Sequence, residues 1–108
     1  MNSERVAGRS DQLLLHRVGY PIPSANLYTY FARQDMILRF QVIQHAADQV
    51  EVRILPRTGI DATRIVQSVR QEMSLRFGGD VEVLATDEFE QSGEGKCLPI
   101  LQKARLAI

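Results

Sequence analysis

Strand-like and helix-like periodicities alternate along this chain of 108 residues in the order β-α-β-β-α-β. That order predicts an α+β sandwich in a single domain spanning residues 1–108. Two further observations support it. Met36–His45 and Gln49–Leu55 both alternate in period two and are separated only by Ala46-Ala47-Asp48. Ile65, Val69, Met73 and Phe77 recur every four residues, which marks one buried helical stripe.

Taken in order, Gln12–Arg17 is a short apolar run stopped by Gly19 and reads as a buried strand. Tyr20-Pro21-Ile22-Pro23 cannot be helix interior, because each proline removes a donor and restricts the residue before it. Ser24 is a good N-cap, with Ile22 and Tyr28 at hydrophobic-staple positions. A helix over Ala25–Arg33 follows, with Leu27, Tyr30 and Phe31 inward. In the next strand Leu38, Phe40 and Val42 alternate with Arg39, Gln41 and Ile43. After the turn, Val50, Val52 and Ile54 point inward and Glu51 and Arg53 outward, so the two strands form an antiparallel hairpin. Pro56-Arg57-Thr58-Gly59 breaks the chain, Asp61 caps a second helix, and Gly78-Gly79 ends it. Asp80–Ala85 alternates as a last strand, and Thr86–Gly95 is polar and turn-rich. Leu98–Ala107 is expected as a short terminal helix or an extended tail, with Pro99 near its start.

This order suits a ferredoxin-like sandwich, an antiparallel sheet with both helices on one face. The other face, carrying Arg39, Gln41, Glu51, Arg53 and Glu82, is expected to be solvated or to lie against a partner. Its charges read as ordinary cross-strand pairs.

Lys plus Arg and Asp plus Glu both number 13, giving a net charge of zero. A nucleic-acid module would carry a basic excess, and an acidic membrane surface would require one. Cys97 alone cannot form an internal disulfide, which points to a reducing, cytoplasmic setting. The first residues lack the apolar stretch of a signal peptide, and no apolar run approaches the ~20 residues of a membrane span.

Several standard sites are ruled out. Two histidines and one cysteine show no zinc-ligand spacing. Gly93-Glu94-Gly95-Lys96 resembles the end of a phosphate loop, but Glu90 and Cys97 stand where that motif needs Gly and Ser or Thr. Nothing local offers Cys97 a base for nucleophilic work. Lys96 has more to offer. It ends a glycine-bearing segment in which backbone can approach a ligand, and its ammonium is a compact charge suited to phosphate. By itself it reads equally as a solvated loop lysine. Gly8-Arg9-Ser10-Asp11 by itself reads as a surface ion pair ahead of a strand.

Together the two segments resemble a known pair. Gly8-Arg9-Ser10-Asp11-Gln12, then a strand, Gly19, a proline-bearing turn and a helix start, resemble the hinge motif that opens the C-terminal domain of adenylate-forming enzymes. Ser92-Gly93-Glu94-Gly95-Lys96 resembles their final lysine motif. The β-α-β-β-α-β order between them is similar to that small mobile domain. The nearest likeness is to phenylacetate–coenzyme A ligases and their capsular-polysaccharide-biosynthesis relatives, in which a strand such as Phe40-Gln41-Val42-Ile43-Gln44 is typical. The likeness covers residues 5–103.

The resemblance implies a hinge near residues 8–12 and a catalytic-lysine loop at 91–97. Asp11 falls on the hinge position, and Arg9 on the arginine that holds the junction. Lys96 falls on the lysine that contacts carboxylate and α-phosphate during adenylation. Gly19 falls near the glycine lining the pantetheine path, and Gly95 is the motif glycine beside the lysine. The implied substrates are a carboxylic acid, ATP and coenzyme A. Mg accompanies ATP in a large N-terminal domain of the same enzyme, so this domain alone binds no cofactor and is inactive in isolation. Gln12 stands where a second acidic residue is common, and Tyr20 where many members carry a basic one. Gly19 sits one residue later than usual. These departures leave the acceptor thiol open, and the acid itself is not specified.

A competing reading is a stand-alone ferredoxin-like module that binds a small molecule or regulates, dimerising through its sheet. It accounts for the element order but gives Gly8–Asp11 and Lys96 no role. A free-standing enzyme of this size is the third reading. Neither nucleic acid nor membrane is expected as a partner, whereas a homodimer is left open.

Overall fold

The computed structural model describes residues 13–91, 95 and 97–104. Its elements are β1 (Leu14–Leu15), β2 (Pro21–Ile22), α1 (Ser24–Ala32), β3 (Ile37–Ala46), β4 (Gln49–Pro56), α2 (Ala62–Phe77), β5 (Glu82–Ala85) and β6 (Ile100–Gln102). The architecture is α+β: a four-stranded sheet in the order β5-β4-β3-β6, with a separate two-stranded ribbon β1-β2.

The predicted hairpin is present. β3 and β4 pair antiparallel, with Phe40 opposite Ile54, Val42 opposite Val52 and Gln44 opposite Val50. A register shift between Ile37 and Arg39 interrupts the alternation at the start of β3, and Leu38, expected inward, is 54% exposed. α2 is also as expected. The Asp61 carboxylate accepts from the Thr63 N–H at 3.1 Å, and Gly78 closes the helix at φ +83°. α1 starts at Ser24, so Pro23 occupies the cap position and no side chain caps the helix.

Three expectations are corrected. The sheet is mixed, not antiparallel, because β5 runs parallel to β4 and β6 parallel to β3. A parallel neighbour needs a long crossover, and α2 supplies it between β4 and β5. The first strand is not in the main sheet. Leu14 and Leu15 pair only with Ile22 and Pro21, so the proline-bearing segment closes a ribbon. The chain after Pro99 forms neither helix nor tail but strand β6. Ile100 and Leu101 point to opposite faces of the sheet, and both are buried.

Both helices pack on the same face. Leu27 and Phe31 of α1 and Val69, Met73 and Phe77 of α2 join Val42, Val50, Val52, Ile54, Val83 and Ile100 in one core. Phe31 stacks on Phe40 with ring centroids 4.1 Å apart. Leu14 and Ile22 place the ribbon in the same cluster.

The opposite face is solvated only in part: Arg39 and Glu82 are exposed as expected, but its centre is covered. Gln41 and Ile43 are fully buried there, and Glu51 retains only 9% exposure. Residues 88–90 and Leu98 of the same chain lie against it. Arg39 stacks on Phe89 at 4.6 Å, Arg53 donates to the Glu88 carbonyl at 3.1 Å, and Gln41 bonds Glu90 and Leu98. The expected arginine–glutamate pairing across strands is not what forms among the described residues: Arg53 holds Glu51 two residues away on its own strand, and the cross-strand partner of Glu51 is His45.

Candidate functional site

Polar side chains inside a protein must find partners for every donor and acceptor. Two glutamines on β3 are buried as deeply as its valines, Gln41 at 1% exposure and Gln44 at 0%. They lie three residues apart, hence on opposite faces of the strand.

Gln41 faces Glu90 and Leu98. Its Nε2 donates to the Glu90 carbonyl and to the Leu98 carbonyl, each at 2.8 Å, and its Oε1 accepts from the Glu90 N–H at 2.8 Å. With Glu90 this amide pairs as a neighbouring peptide group would. Its remaining donor crosses to Leu98. One side chain therefore ties together both ends of segment 91–97. A backbone N–H on one side and carbonyls on the other fix which amide atom is which.

Gln44 does the equivalent for the ribbon. Its Oε1 accepts from the Leu15 N–H at 3.0 Å and its Nε2 donates to the Leu15 carbonyl at 2.9 Å. Gln102, its register partner on β6, donates to Gln44 Oε1 at 2.6 Å and to the Leu13 carbonyl at 2.8 Å. β3 thus holds, through two amides, the chain just after residues 8–12 and both ends of 91–97.

Charges gather at the foot of the second segment. Glu90 pairs with Lys103 and, at 3.5 Å, with Arg53. Arg53 Nε also donates to Glu51 at 2.7 Å, and His45 Nε2 lies 2.9 Å from the other Glu51 oxygen. Burial pushes the Glu51 carboxyl up, but the hydrogen bonds from His45 and Arg53 and their charges outweigh it and hold the group below its usual value. Cys97 Sγ points at the Glu90 carbonyl at 3.6 Å. A cleft of about 200 Å³ opens beside Gln41, between Leu38–Phe40 and Phe89, Cys97 and Leu98. A larger hollow of about 500 Å³ lies elsewhere, between Met36 and the first turns of α2 at Arg64 and Ser68, and is lined by none of the candidate site residues read from the sequence.

Of those residues, Arg9, Asp11 and Lys96 lie outside the described residues. Gly19 sits exposed in the turn between β1 and β2 at φ +110°, its N–H donating to the His16 carbonyl at 2.8 Å. Gly95 has φ +80°. Among the described residues, a Cβ at either glycine would meet nothing within 4 Å. Among the described residues no group of three or more His, Cys, Asp or Glu could hold a metal ion, and no helix is long and apolar enough to cross a membrane.

Sequence reasoning missed Gln41, Gln44, Gln102 and Glu90. The available signal was the run Phe40-Gln41-Val42-Ile43-Gln44, which is apolar on both faces at Val42 and Ile43. A strand with both faces apolar is covered on both, so its glutamines are covered too.

A scan against protein-family models, a search of curated proteins and a search of solved structures each find no match to this chain.

Proposed function

We propose that this chain is the C-terminal domain of an ATP-dependent acid–thiol ligase of the adenylate-forming kind, similar to phenylacetate–coenzyme A ligases. The observation that carries the reading is the Gln41 amide, which holds Glu90 and Leu98 together at the two ends of the segment bearing Ser92–Lys96. A lysine that must enter a partner domain's active site needs a loop whose base is fixed. The second support is the Gln44–Leu15 pairing, which fastens the chain just after the hinge-like Gly8–Gln12 to the same strand. A ferredoxin-like origin goes with this reading. The chain order from β1 to β5 is kept, and the first strand is displaced into the ribbon.

In the proposed reaction a substrate carboxylate oxygen attacks the α-phosphorus of ATP, and the bond to the bridging oxygen breaks to release pyrophosphate. Two anions must meet, so a cation placed at their junction lowers the barrier. Lys96 supplies that charge. Asp11 and Arg9 form the junction about which the domain then turns. Gly19 lets the acceptor thiol approach the acyl carbon, and AMP leaves. ATP, the acid and coenzyme A or another thiol are held mainly by the large domain, with Mg beside the ATP phosphates.

The competing reading, a stand-alone module dimerising through its sheet, is disfavoured by one observation: residues 88–90 and Leu98 cover the centre of the face on which such a dimer would form.

The experiment joins the chain to the large domain with which it is encoded and follows pyrophosphate release. Lys96→Ala should slow acyl-adenylate formation about 100-fold or more, the scale on which a single stabilising charge or donor acts. Undiminished release, or the absence of any such large domain, would overturn the proposal. Residues 1–108 alone should show no ligase activity.

A further inference from the structure

We propose that the hollow of about 500 Å³ beside the start of α2 binds a free α-amino acid with an apolar side chain, held as its zwitterion between Asp61 and Arg64. Such a site goes beyond the ligase reading and does not depend on it.

The turn from α1 into β3 forms one wall of the hollow, and the first turns of α2 form the other. Its floor is apolar. Ile37 and Ile65 are half-buried against the core, and Val69 belongs to the core itself. Ile65 and Val69 are four residues apart, so they make one continuous strip along the helix. Met36 stands at the rim with 52% of its surface exposed. Its thioether is an adaptable contact for an aliphatic chain and a favourable one for an aromatic ring. Small-molecule sites measure about 300–1,000 Å³ and combine an apolar lining with a few polar groups that fix orientation. This hollow has both properties.

The polar groups decide the ligand. Asp61 and Arg64 both line the hollow, three positions apart at the start of α2, yet they form no ion pair with each other. Among the described residues the Arg64 guanidinium has no hydrogen-bond or ion-pair partner. Asp61 commits one oxygen to the Thr63 N–H at 3.1 Å, and its other oxygen bonds to no described group. A plain carboxylate would satisfy Arg64 but lie beside the Asp61 carboxylate, and a plain amine has the converse fault. An α-amino acid carries both charges on one carbon. Its carboxylate takes the planar fork of Arg64, and its ammonium takes the free Asp61 oxygen. Gln34 spends its Nε2 on the Tyr30 carbonyl at 3.2 Å, which leaves its amide oxygen as a second acceptor for the ammonium. The side chain then lies over Ile65 and Val69.

The test titrates the full chain with L-phenylalanine and with L-leucine and follows backbone amide shifts by two-dimensional NMR. At least one of the two should give saturable shifts centred on the residues lining the hollow, with Kd on the order of 0.1–1 mM for a ligand of this size. For the amino acid that binds, the analogue lacking the ammonium and the analogue lacking the carboxylate (phenylpropionate and phenethylamine for phenylalanine) should each bind at least about tenfold more weakly, the worth of one hydrogen-bonded charge. Asp61→Asn removes a charge but keeps the helix cap, since asparagine caps as well as aspartate. It should erase the preference for the amino acid over the analogue without an ammonium and keep the preference over the analogue without a carboxylate. Arg64→Gln, a good helix former at an exposed position, should do the reverse. This crossed pattern reads each contact separately, and loss of fold would weaken all three ligands alike. No saturable shift with either amino acid up to about 10 mM, equal binding of the amino acid and either analogue to the parent chain, or preferences unchanged in both variants would overturn the proposal.

Discussion

At the scale of single residues, the polar interior of this domain rests on side chains that replace peptide groups. Gln44 completes a ladder rung for Leu15, and Gln41 does so for Glu90. Glu51 is the charged counterpart, holding His45 and Arg53 together at 9% exposure. Its carboxyl is lowered because those hydrogen bonds and charges overcome the cost of burial. A lowered folded-state value means that the unfolded chain takes up the proton first as pH falls. The stabilisation from Glu51 is therefore complete above the ordinary carboxylate range and is lost as pH drops through the lower, folded value. Glu51→Gln should cost about 1–2 kcal/mol at neutral pH, the usual worth of hydrogen bonds to a charged group. Once the pH has fallen through the lowered folded-state value the variant and the parent should converge, because Glu51 is then protonated in both states of the parent chain. Urea denaturation of both chains across pH 3–7 (about four pH units, spanning the carboxylate range) measures the difference. A gap that stays constant with pH would contradict the pairing.

At the scale of elements, the parts legible in the sequence are those whose signal is local. The β3-β4 hairpin announces itself by alternation and a short turn, and α2 by its four-residue stripe, Asp61 and Gly78. β6 gives no such signal. Ile100-Leu101-Gln102 is three residues long, and only its parallel pairing to β3, across more than fifty positions of sequence, makes it a strand. The mixed sheet was hidden for the same reason, since strand direction within a sheet is a property of crossovers and not of periodicity. Gln41 was misassigned because a polar residue in an alternating strand reads as solvent-facing, and what covers it lies 49 residues away in sequence. Of the proposed site, the bonds from β3 to Leu15, Glu90 and Leu98 were not legible, because they join residues 29 to 57 positions apart. The end of α2 shows how an element is locked by a neighbour that sequence does not reveal. Gly78 has φ +83°, and a Cβ there would fall 2.2 Å from the His16 ring, which stacks on Tyr20 at 4.2 Å. Arg17 N–H donates to the Phe77 carbonyl at 2.8 Å, closing the joint. Gly59 has a similar φ of +88° with nothing within 4 Å of its would-be Cβ. Gly59→Ala should therefore cost only the left-handed strain, about 1–2 kcal/mol. Gly78→Ala must also displace a stacked ring, and should cost at least about 1 kcal/mol more, lowering Tm by several degrees beyond Gly59→Ala. Equal Tm losses would show that His16 yields freely.

At the scale of the whole molecule, the chain closes on itself. Gln102 of the last strand donates to the carbonyl of Leu13, the first described residue, 89 positions earlier. β6 completes the sheet on the β3 side and contributes fully buried Ile100 to the core. Contacts at such separations are entropically costly to form before the rest of the chain has condensed. The β3-β4 hairpin, by contrast, is local and supplies the two central strands. Folding should therefore nucleate on the hairpin and add β6 late. Val52→Ala, in the middle of the hairpin, and Ile100→Ala, in β6, each remove buried methyl groups, about 1–4 kcal/mol for comparable truncations and enough to resolve in kinetics. We expect Val52→Ala to slow refolding, and Ile100→Ala to leave refolding nearly unchanged while accelerating unfolding. Stopped-flow chevrons of the two variants decide it, and a refolding rate depressed equally by Ile100→Ala would place β6 in the nucleus instead. The same order has a consequence for the proposed site. Leu98, which is bonded by Gln41, lies two residues before the start of β6, so this bond is completed only when the last strand docks. A substitution that loosens β6, such as Ile100→Ala, should then weaken protection of the Glu90 N–H against hydrogen exchange more than that of the hairpin amides Val42 and Val52, because the low-stability end of the molecule and the base of the loop are the same structure.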